Sequence, residues 1–222
     1  MIYSLFTMDS VITLVFLLSG LLTPGYAIIC TQCTSSLSSC TGYTANCASK
    51  LVCISIYEST RVGNTESFQF VRGCGYKSDC DQLGLFAIPN GKYRFSATCC
   101  NSDNCTPNPP SLPPVNNTSN NKQCPHCVSE TSKDCNSNQM MACMGDETKC
   151  ALQNSEVTIG SNTQKSSIRG CATKSFCKLG TQTAESGGVK RKIVTKCSAC
   201  TALYSAITLL LTLTISMMTN VF

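Results

Sequence analysis

Two apolar stretches bracket this chain, at residues 11–22 and 203–218, and no segment between them sustains a helical period. The apolar runs in between are short, rich in β-branched and aromatic residues, and separated by turn residues, as in strands. Leu51-Val52-Cys53-Ile54-Ser55-Ile56-Tyr57 reads as one strand, Val62-Gly63-Asn64 as a turn, and Ser67-Phe68-Gln69-Phe70-Val71 as the returning strand of a hairpin. Pro89-Asn90-Gly91 predicts a second turn, ahead of a strand over Tyr93-Arg94-Phe95-Ser96-Ala97. The order then recurs. Ser155-Glu156-Val157-Thr158-Ile159, the turn Gly160-Ser161-Asn162 and Ser166-Ser167-Ile168-Arg169 repeat the hairpin, and Gly187-Gly188 precedes Ile193-Val194-Thr195. The pattern predicts an all-β chain of long hairpins, built twice.

The cysteines repeat with the hairpins. Cys30, Cys33, Cys40, Cys47, Cys53, Cys74, Cys80 and Cys99 are separated by 2, 6, 6, 5, 20, 5 and 18 residues, with Cys100 and Cys105 behind them. Cys124, Cys127, Cys135, Cys143, Cys150, Cys171, Cys177 and Cys197 are separated by 2, 7, 7, 6, 20, 5 and 19. Val71-Arg72-Gly73-Cys74 answers Ile168-Arg169-Gly170-Cys171. A repeated spacing of this kind marks a repeated disulfide framework. Modules of this size bury too little apolar surface to stand without such staples. With 19 Cys in 222 residues and one His, the chain belongs to an oxidising compartment.

The ends agree with that compartment. Residues 1–27 predict a signal peptide, with Gly25-Tyr26-Ala27 as a small-residue cleavage site before Ile28. Its n-region lacks Lys and Arg, and Met8 is an alternative start. The apolar core is shorter than the ~20 residues a membrane span needs. At the other end, small residues at Ser198-Ala199-Cys200, a short spacer and an apolar tail form a glycosylphosphatidylinositol attachment signal over 199–222, with Ser198 as the acceptor. Ser186-Gly187-Gly188 is the competing acceptor, but cleavage there would discard Cys197. A tail-anchored helix is the other reading of the same residues.

Four units follow the leader: a first module over 28–105, a Pro/Asn-rich linker over 106–123, a second module over 124–198, and the propeptide over 199–222. The linker's prolines favour extended, semi-rigid backbone. Asn116 and Asn117 each open a glycosylation sequon, and Asn104-Cys105-Thr106 is a third formal one. Residues 28–105 carry 6 Lys+Arg and 5 Asp+Glu, net +1, whereas residues 122–198 carry 11 and 6, net +5. Lys190-Arg191-Lys192 is the densest basic run. It suits anionic lipid, sulfated glycan or an acidic partner, or is simply a solvated strand end. Outside the cell, nucleic acid is not an expected partner.

The run Cys99-Cys100-Asn101-Ser102-Asp103-Asn104-Cys105, behind the eight-cysteine rhythm, resembles the three-finger domain of the urokinase-receptor and lymphocyte-antigen family. The resemblance covers both modules and implies tandem snake-toxin-like folds. It implies the pairs Cys30–Cys53, Cys33–Cys40, Cys47–Cys74, Cys80–Cys99 and Cys100–Cys105, then Cys124–Cys150, Cys127–Cys135, Cys143–Cys171 and Cys177–Cys197. Two departures stand out. Thr106 occupies the place where the family has a bracing Asn, and the second module has Cys197-Ser198-Ala199-Cys200 in place of the terminal double-cysteine loop. Its base is thus expected to be looser by one bridge, and Cys200 has no partner. Two modules with Met144-Gly145-Asp146-Glu147-Thr148-Lys149-Cys150 opening the second hairpin further resemble the gamma-type phospholipase A2 inhibitors and their lipid-anchored relatives.

Catalytic chemistry has little to stand on. Cys124-Pro125-His126-Cys127 has the form of an oxidising C-x-x-C, but that chemistry needs the motif to open a helix after a strand, and Cys30-Thr31-Gln32-Cys33 holds the equivalent place in the first module. Paired C-x-x-C motifs also suit zinc, yet secreted disulfides account for these cysteines without metal. His126 is the single imidazole, so no Ser-His-Asp set assembles. Asp79/Asp81 and Asp146/Glu147 are expected in exposed turns. No cofactor, metal or catalytic residue is expected. What remains is binding: loops held by a rigid scaffold, with Phe68, Phe70, Phe86, Tyr93 and Phe95, which suit packing within the sheet first and contact with a partner second, making the first module the better candidate for an apolar interface, while the second has only Phe176 before the tail. The expected protein is a non-enzymatic, lipid-anchored, receptor-like module that binds a protein ligand at the extracellular face of the plasma membrane. The alternative is a soluble inhibitor that binds secreted phospholipase A2.

Overall fold

A computed structural model describes residues 27–202. The expected signal peptide, apart from Ala27, and residues 203–222 of the expected attachment signal lie outside the described residues. The first module comprises β1 (Ile29–Ser35), β2 (Tyr43–Asn46), β3 (Leu51–Val62), β4 (Thr65–Tyr76), a 3-10 turn at Lys77–Asp79, β5 (Leu83–Ile88) and β6 (Gly91–Cys100). The second comprises β7 (Ser119–Pro125), β8 (Cys127–Ser129), β9 (Met140–Met144), β10 (Lys149–Ile159), β11 (Asn162–Ala172), a 3-10 turn at Phe176–Leu179, β12 (Thr181–Ser186), β13 (Val189–Ala199) and β14 (Thr201–Ala202). Among the described residues no helix is long and apolar enough to cross a membrane.

The central finger of each module is a long antiparallel hairpin. Strands β3 and β4 pair from Leu51↔Tyr76 to Val62↔Thr65, and β10 and β11 from Lys149↔Ala172 to Ile159↔Asn162. Each closes on a two-residue turn opened by glycine, Gly63 or Gly160, at φ +59° in both copies. That left-handed conformation is nearly free for glycine, and its twist matches that of the flanking strands. The third fingers are β5–β6, turning at Pro89-Asn90, and β12–β13, turning at Gly187-Gly188.

The strands order as β12-β13-β10-β11-β5-β6-β3-β4-β1-β2, with β8 also on β11, so one sheet runs through both modules. A small second sheet, β14-β7-β9, closes the base of the second module. Strand β7 begins at Ser119, inside the stretch read as linker, and Ala199–Ala202 continue the second module in strands past Ser198.

Sulfur replaces a conventional core at each base. Cys30, Cys47 and Cys53 are buried together under Ile28 and Leu51, and Cys124, Cys143, Cys150 and Cys171 under Met141. The bridges join Cys30–Cys53, Cys33–Cys40, Cys47–Cys74, Cys80–Cys99 and Cys100–Cys105 in the first module. In the second they join Cys124–Cys150, Cys127–Cys135, Cys143–Cys171 and Cys177–Cys197. These are the pairs that the family resemblance implies. At the first base, where Thr106 departs from that family's pattern, the brace runs through Asp103: the Ile29 N–H donates to its Oδ1 at 2.9 Å and the Asn104 N–H donates to the Ile29 carbonyl at 3.1 Å. At the second base the unbridged Cys200 packs its Sγ 3.1 Å from Cys124 Sγ, and β14 pairs with β7. Burial pushes the Cys200 thiol pKa up.

The linker does not swing free. Pro107 and Pro110 are buried against the first module. Ser55 Oγ donates to the Pro107 carbonyl at 3.3 Å, Thr98 Oγ1 donates to that of Asn108, and Arg94 donates to that of Pro113 at 3.1 Å.

Candidate binding surface at the module junction

The seam between the modules is β5. Its Leu-Gly-Leu-Phe-Ala-Ile sequence is an unbroken apolar run, and Gly84 to Ala87 are all buried. A strand buried on both faces loses the polar alternation of a surface strand, which is why it does not stand out by period. Cys171↔Ala87 and Ala172↔Phe86 join β11 to β5. The Thr173 N–H donates to the Leu85 carbonyl at 2.9 Å, and the Leu85 N–H returns to Thr173 Oγ1 at 3.1 Å. The approach is close enough to exclude a side chain at Gly170, where an added Cβ would stand 2.0 Å from the Ala87 carbonyl oxygen.

Around this seam the aromatic residues of the first module meet the single aromatic of the second. Phe176, fully buried, stacks on Phe86 at 5.2 Å and meets Tyr93 and Phe95 edge-on at 6.4 and 6.3 Å. Ala151 and Ala172 complete the cluster. The apolar interface expected of the first module is therefore filled from within the chain by Phe86, Tyr93 and Phe95. Phe70 is fully buried, and Phe68, 38% exposed, stacks on Tyr57 at 5.9 Å. The Tyr93 hydroxyl donates to Glu58 Oε1 at 2.9 Å, and burial, reinforced by the Glu58 charge, pushes its pKa far up.

The Met144–Cys150 motif is a keystone rather than an exposed loop. Asp146 is exposed as expected, but Glu147 is not: it is 2% accessible. Its Oε2 accepts the Met144 N–H at 3.1 Å, while Lys92 of the first module places Nζ 3.2 Å from Oε1 without hydrogen-bond alignment. Asn120 donates to the carbonyls of Gly145 and Glu147 at 2.9 and 3.1 Å, tying the linker's end to the same turn. A turn rich in Gly and acids reads as solvated, and only the lysine brought from the other module reverses that.

Three open grooves flank the junction. One of about 530 Å³ lies among Arg61, Lys92, Asn117, Met141 and Met144. One of about 870 Å³ lies among Leu85, Leu112, Pro113, Met144 and Lys174. A third, of about 650 Å³, lies among Ile54, Ile56, Tyr76, Leu179 and Ile193 with Arg191 at its side. These are sizes at which small ligands or protruding side chains are held. The tips of both central fingers are apolar and free: Val62 is 67% exposed and Ile159 is 60% exposed, each directly before its turn glycine.

The other residues singled out from sequence are dispersed. Cys124 and Cys127 lie on separate strands, in separate disulfides, so they form no C-x-x-C couple. The sulfur triads that come within 4.8 Å consist of bridged cysteines except for Cys200, and bridged sulfur is not the thiolate that zinc takes. His126 is half-buried, and its backbone N–H donates to the Gln139 carbonyl at 2.9 Å. Asn116 and Asn117 are both exposed, and Asn116 Oδ1 accepts the Thr118 N–H at 2.8 Å. Ser198 lies on β13 opposite Cys150.

Known proteins bear on this architecture. The chain is 30% identical over 155 residues to a phospholipase A2 inhibitor of the gamma type from Laticauda semifasciata, covering 68% of this chain and 84% of that protein. It is 27% identical over 162 residues to a phospholipase A2 inhibitor NAI of Notechis ater, covering 71% and 80%. Among solved structures, mouse TEX101 matches at a TM-score of 0.33 and 19% identity, over 77% of this chain and 99% of that one. The family model for the u-PAR/Ly-6 domain matches twice, over residues 26–108 and 120–204. With two matched domains, each carrying its own disulfide-clamped fingers, the chain belongs to the u-PAR/Ly-6 domain family as a tandem three-finger protein.

Proposed function

We propose that this protein is a non-enzymatic, receptor-like binding module at the extracellular face of the plasma membrane. It takes a protein ligand across the fingers and junction of its two domains. The observation that carries this reading is the pair of central fingers: rigid hairpins with Val62 and Ile159 exposed at matching tips, on a frame whose modules are joined by Phe86, Tyr93, Phe95 and Phe176. A glycosylphosphatidylinositol anchor at Ser198 holds it to the membrane in this reading, supported by the small residues Ser198-Ala199-Cys200 ahead of the apolar run 203–218. Attachment there would remove β14 and the Cys200 thiol. Glycans on Asn116 or Asn117 would sit on the exposed linker. Treating expressing cells with phosphatidylinositol-specific phospholipase C tests the anchor: the protein is expected in the medium alongside an anchored control, and retention while the control is released counts against it.

A second reading is a soluble inhibitor that binds secreted phospholipase A2, favoured by the identity of the relatives at 30% and 27%. Purified protein mixed with secreted phospholipases of several groups tests it. Absence of binding at micromolar concentration across the panel would sink it.

A further inference from the structure

The basic residues of the second module are sorted by the sheet onto different faces. Directly opposed residues of antiparallel strands share a face, so the ladder of β13, β10 and β11 places Lys192, Glu156 and Lys165 in one row and Lys196, Leu152 and Arg169 in another. Lys190 belongs to the same face, opposite Thr158 and Glu185. The other face carries Ala151 and Ile168, which pack into the junction, and Arg191, opposite Val157. Thus the run Lys190-Arg191-Lys192 is split, and five cations of the second module gather on the side turned away from the first.

Two of the carboxylates there are already engaged. Lys133 bonds Glu156 at 2.5 Å and Lys190 bonds Glu185 at 3.4 Å. The Glu156 carboxyl is held below its ordinary range, first by the hydrogen bond from Lys133 and further by the fields of Lys133, Lys165 and Lys192. The loop that supplies Lys133 also carries Glu130 and Asp134, both exposed. Among the described residues, Lys165, Arg169, Lys192 and Lys196 take part in no ion pair. They stand at the corners of a rectangle about 10 Å across the strands and about 13 Å along them, with Asn154 between the two rows. Lys165, Lys192 and Lys196 are exposed and Arg169 is half-buried.

We propose that this face binds a linear sulfated polysaccharide. The loop over 130–135 crosses the centre of this face, where the Ser167 hydroxyl donates to the Ser132 carbonyl at 2.9 Å, and the cations stand around it in two rows rather than converging on one point, so they suit a chain of repeated anionic groups better than a single phosphate. The face's apolar members, Leu152 and Val194, are half-buried and no aromatic residue joins them, so it lacks the anchors with which a protein beds into lipid. The nine bridges place the protein where glycans, not nucleic acids, are the abundant polyanions. The proposal stands whether the protein is anchored or soluble.

Protein purified from cells expressing the full chain is titrated with a size-defined heparin oligosaccharide between 50 and 300 mM salt. The variant Lys165→Gln/Arg169→Gln/Lys192→Gln/Lys196→Gln is expected to bind at least about tenfold more weakly at 150 mM salt. Its slope of log affinity against log salt should be shallower by about 3, close to one counterion per cation removed. Lys50→Gln/Lys77→Gln/Lys122→Gln/Lys178→Gln removes the same charge elsewhere and should stay within about twofold of wild type. Equal losses in both variants would show net charge, not this face, at work. No binding of wild type at 150 mM salt, or binding to phosphatidylserine vesicles but not heparin, overturns the proposal. Unchanged melting temperatures establish that all the variants fold.

Discussion

Phe176→Ala probes the junction most sharply. Phe176 is fully buried and is the only phenylalanine of the second module, with Phe86 stacked on it at 5.2 Å and Tyr93 and Phe95 edge-on at 6.4 and 6.3 Å. Truncating a core phenylalanine costs about 3–5 kcal/mol, and the loss of aromatic pairing places this site in the upper part of that range. A loss of about 4 kcal/mol shifts the folding equilibrium roughly a thousandfold. Guanidinium unfolding with the disulfides intact, followed by tyrosine fluorescence, would read it. Phe70→Ala, equally buried but inside the first module, should cost a similar amount. Phe68→Ala, at 38% exposure, should cost about 1 kcal/mol at most. Only Phe176→Ala should also speed proteolysis of the linker, because it frees one module from the other. A loss below about 1 kcal/mol, with linker cleavage unchanged, would mean that this ring does not hold the modules together.

Gly170→Ala should cost about 3 kcal/mol, since its Cβ would meet the Ala87 carbonyl oxygen at 2.0 Å, whereas Gly160→Ala at φ +59° in open space should cost about 1 kcal/mol; thermal melts of both separate close approach from backbone strain. Lys92→Met should destabilise by about 3 kcal/mol because it leaves Glu147 buried without its cation, and adding Glu147→Gln should recover most of that loss, a double-mutant cycle that melts can complete. The Glu66 carboxyl is held below its ordinary range by hydrogen bonds from Ser59 and then Arg94. Its contribution is therefore full above the unfolded pKa and fades as pH falls through the folded one, so wild type and Glu66→Gln should differ slightly at neutral pH and converge at strongly acidic pH, a comparison made by melting temperature across pH. Thiol labelling with intact-mass measurement should find no free thiol in an anchored form attached at Ser198, and one, slow to react until denatured, in any form retaining Cys200.

The hairpins were legible because their signal is local. Gly63 and Gly160 each supply a left-handed turn residue between β-branched runs, and no tertiary information is needed to see it. The cysteine spacing announced two stapled modules, but the pairing came from family resemblance, since spacing alone leaves many connectivities open. What stayed hidden depends on contacts between modules. Strand β5 lacks alternation because both its faces are covered, one by the second module, so its apolar run carries no period to read. Glu147 sits in a composition that predicts solvent, and only Lys92, 55 positions earlier in the chain, makes its burial intelligible. Phe86, Tyr93 and Phe95 suit packing or partner contact alike, and their partner within the chain is not visible until Phe176 is placed on them. Likewise Lys190-Arg191-Lys192 is one run in sequence but two faces in the sheet, because side chains alternate along a strand.

The two domains act as one frame, joined edge to edge at β5 and β11, and hydrogen exchange of the intact protein reads that junction. The Leu85 and Thr173 amides, bonded across the junction at 3.1 and 2.9 Å, should exchange as slowly as the interior of the β3–β4 hairpin. If they exchange as fast as the exposed edge strand β12 while β3–β4 stays protected, the domains are independent and the account of a shared binding frame fails.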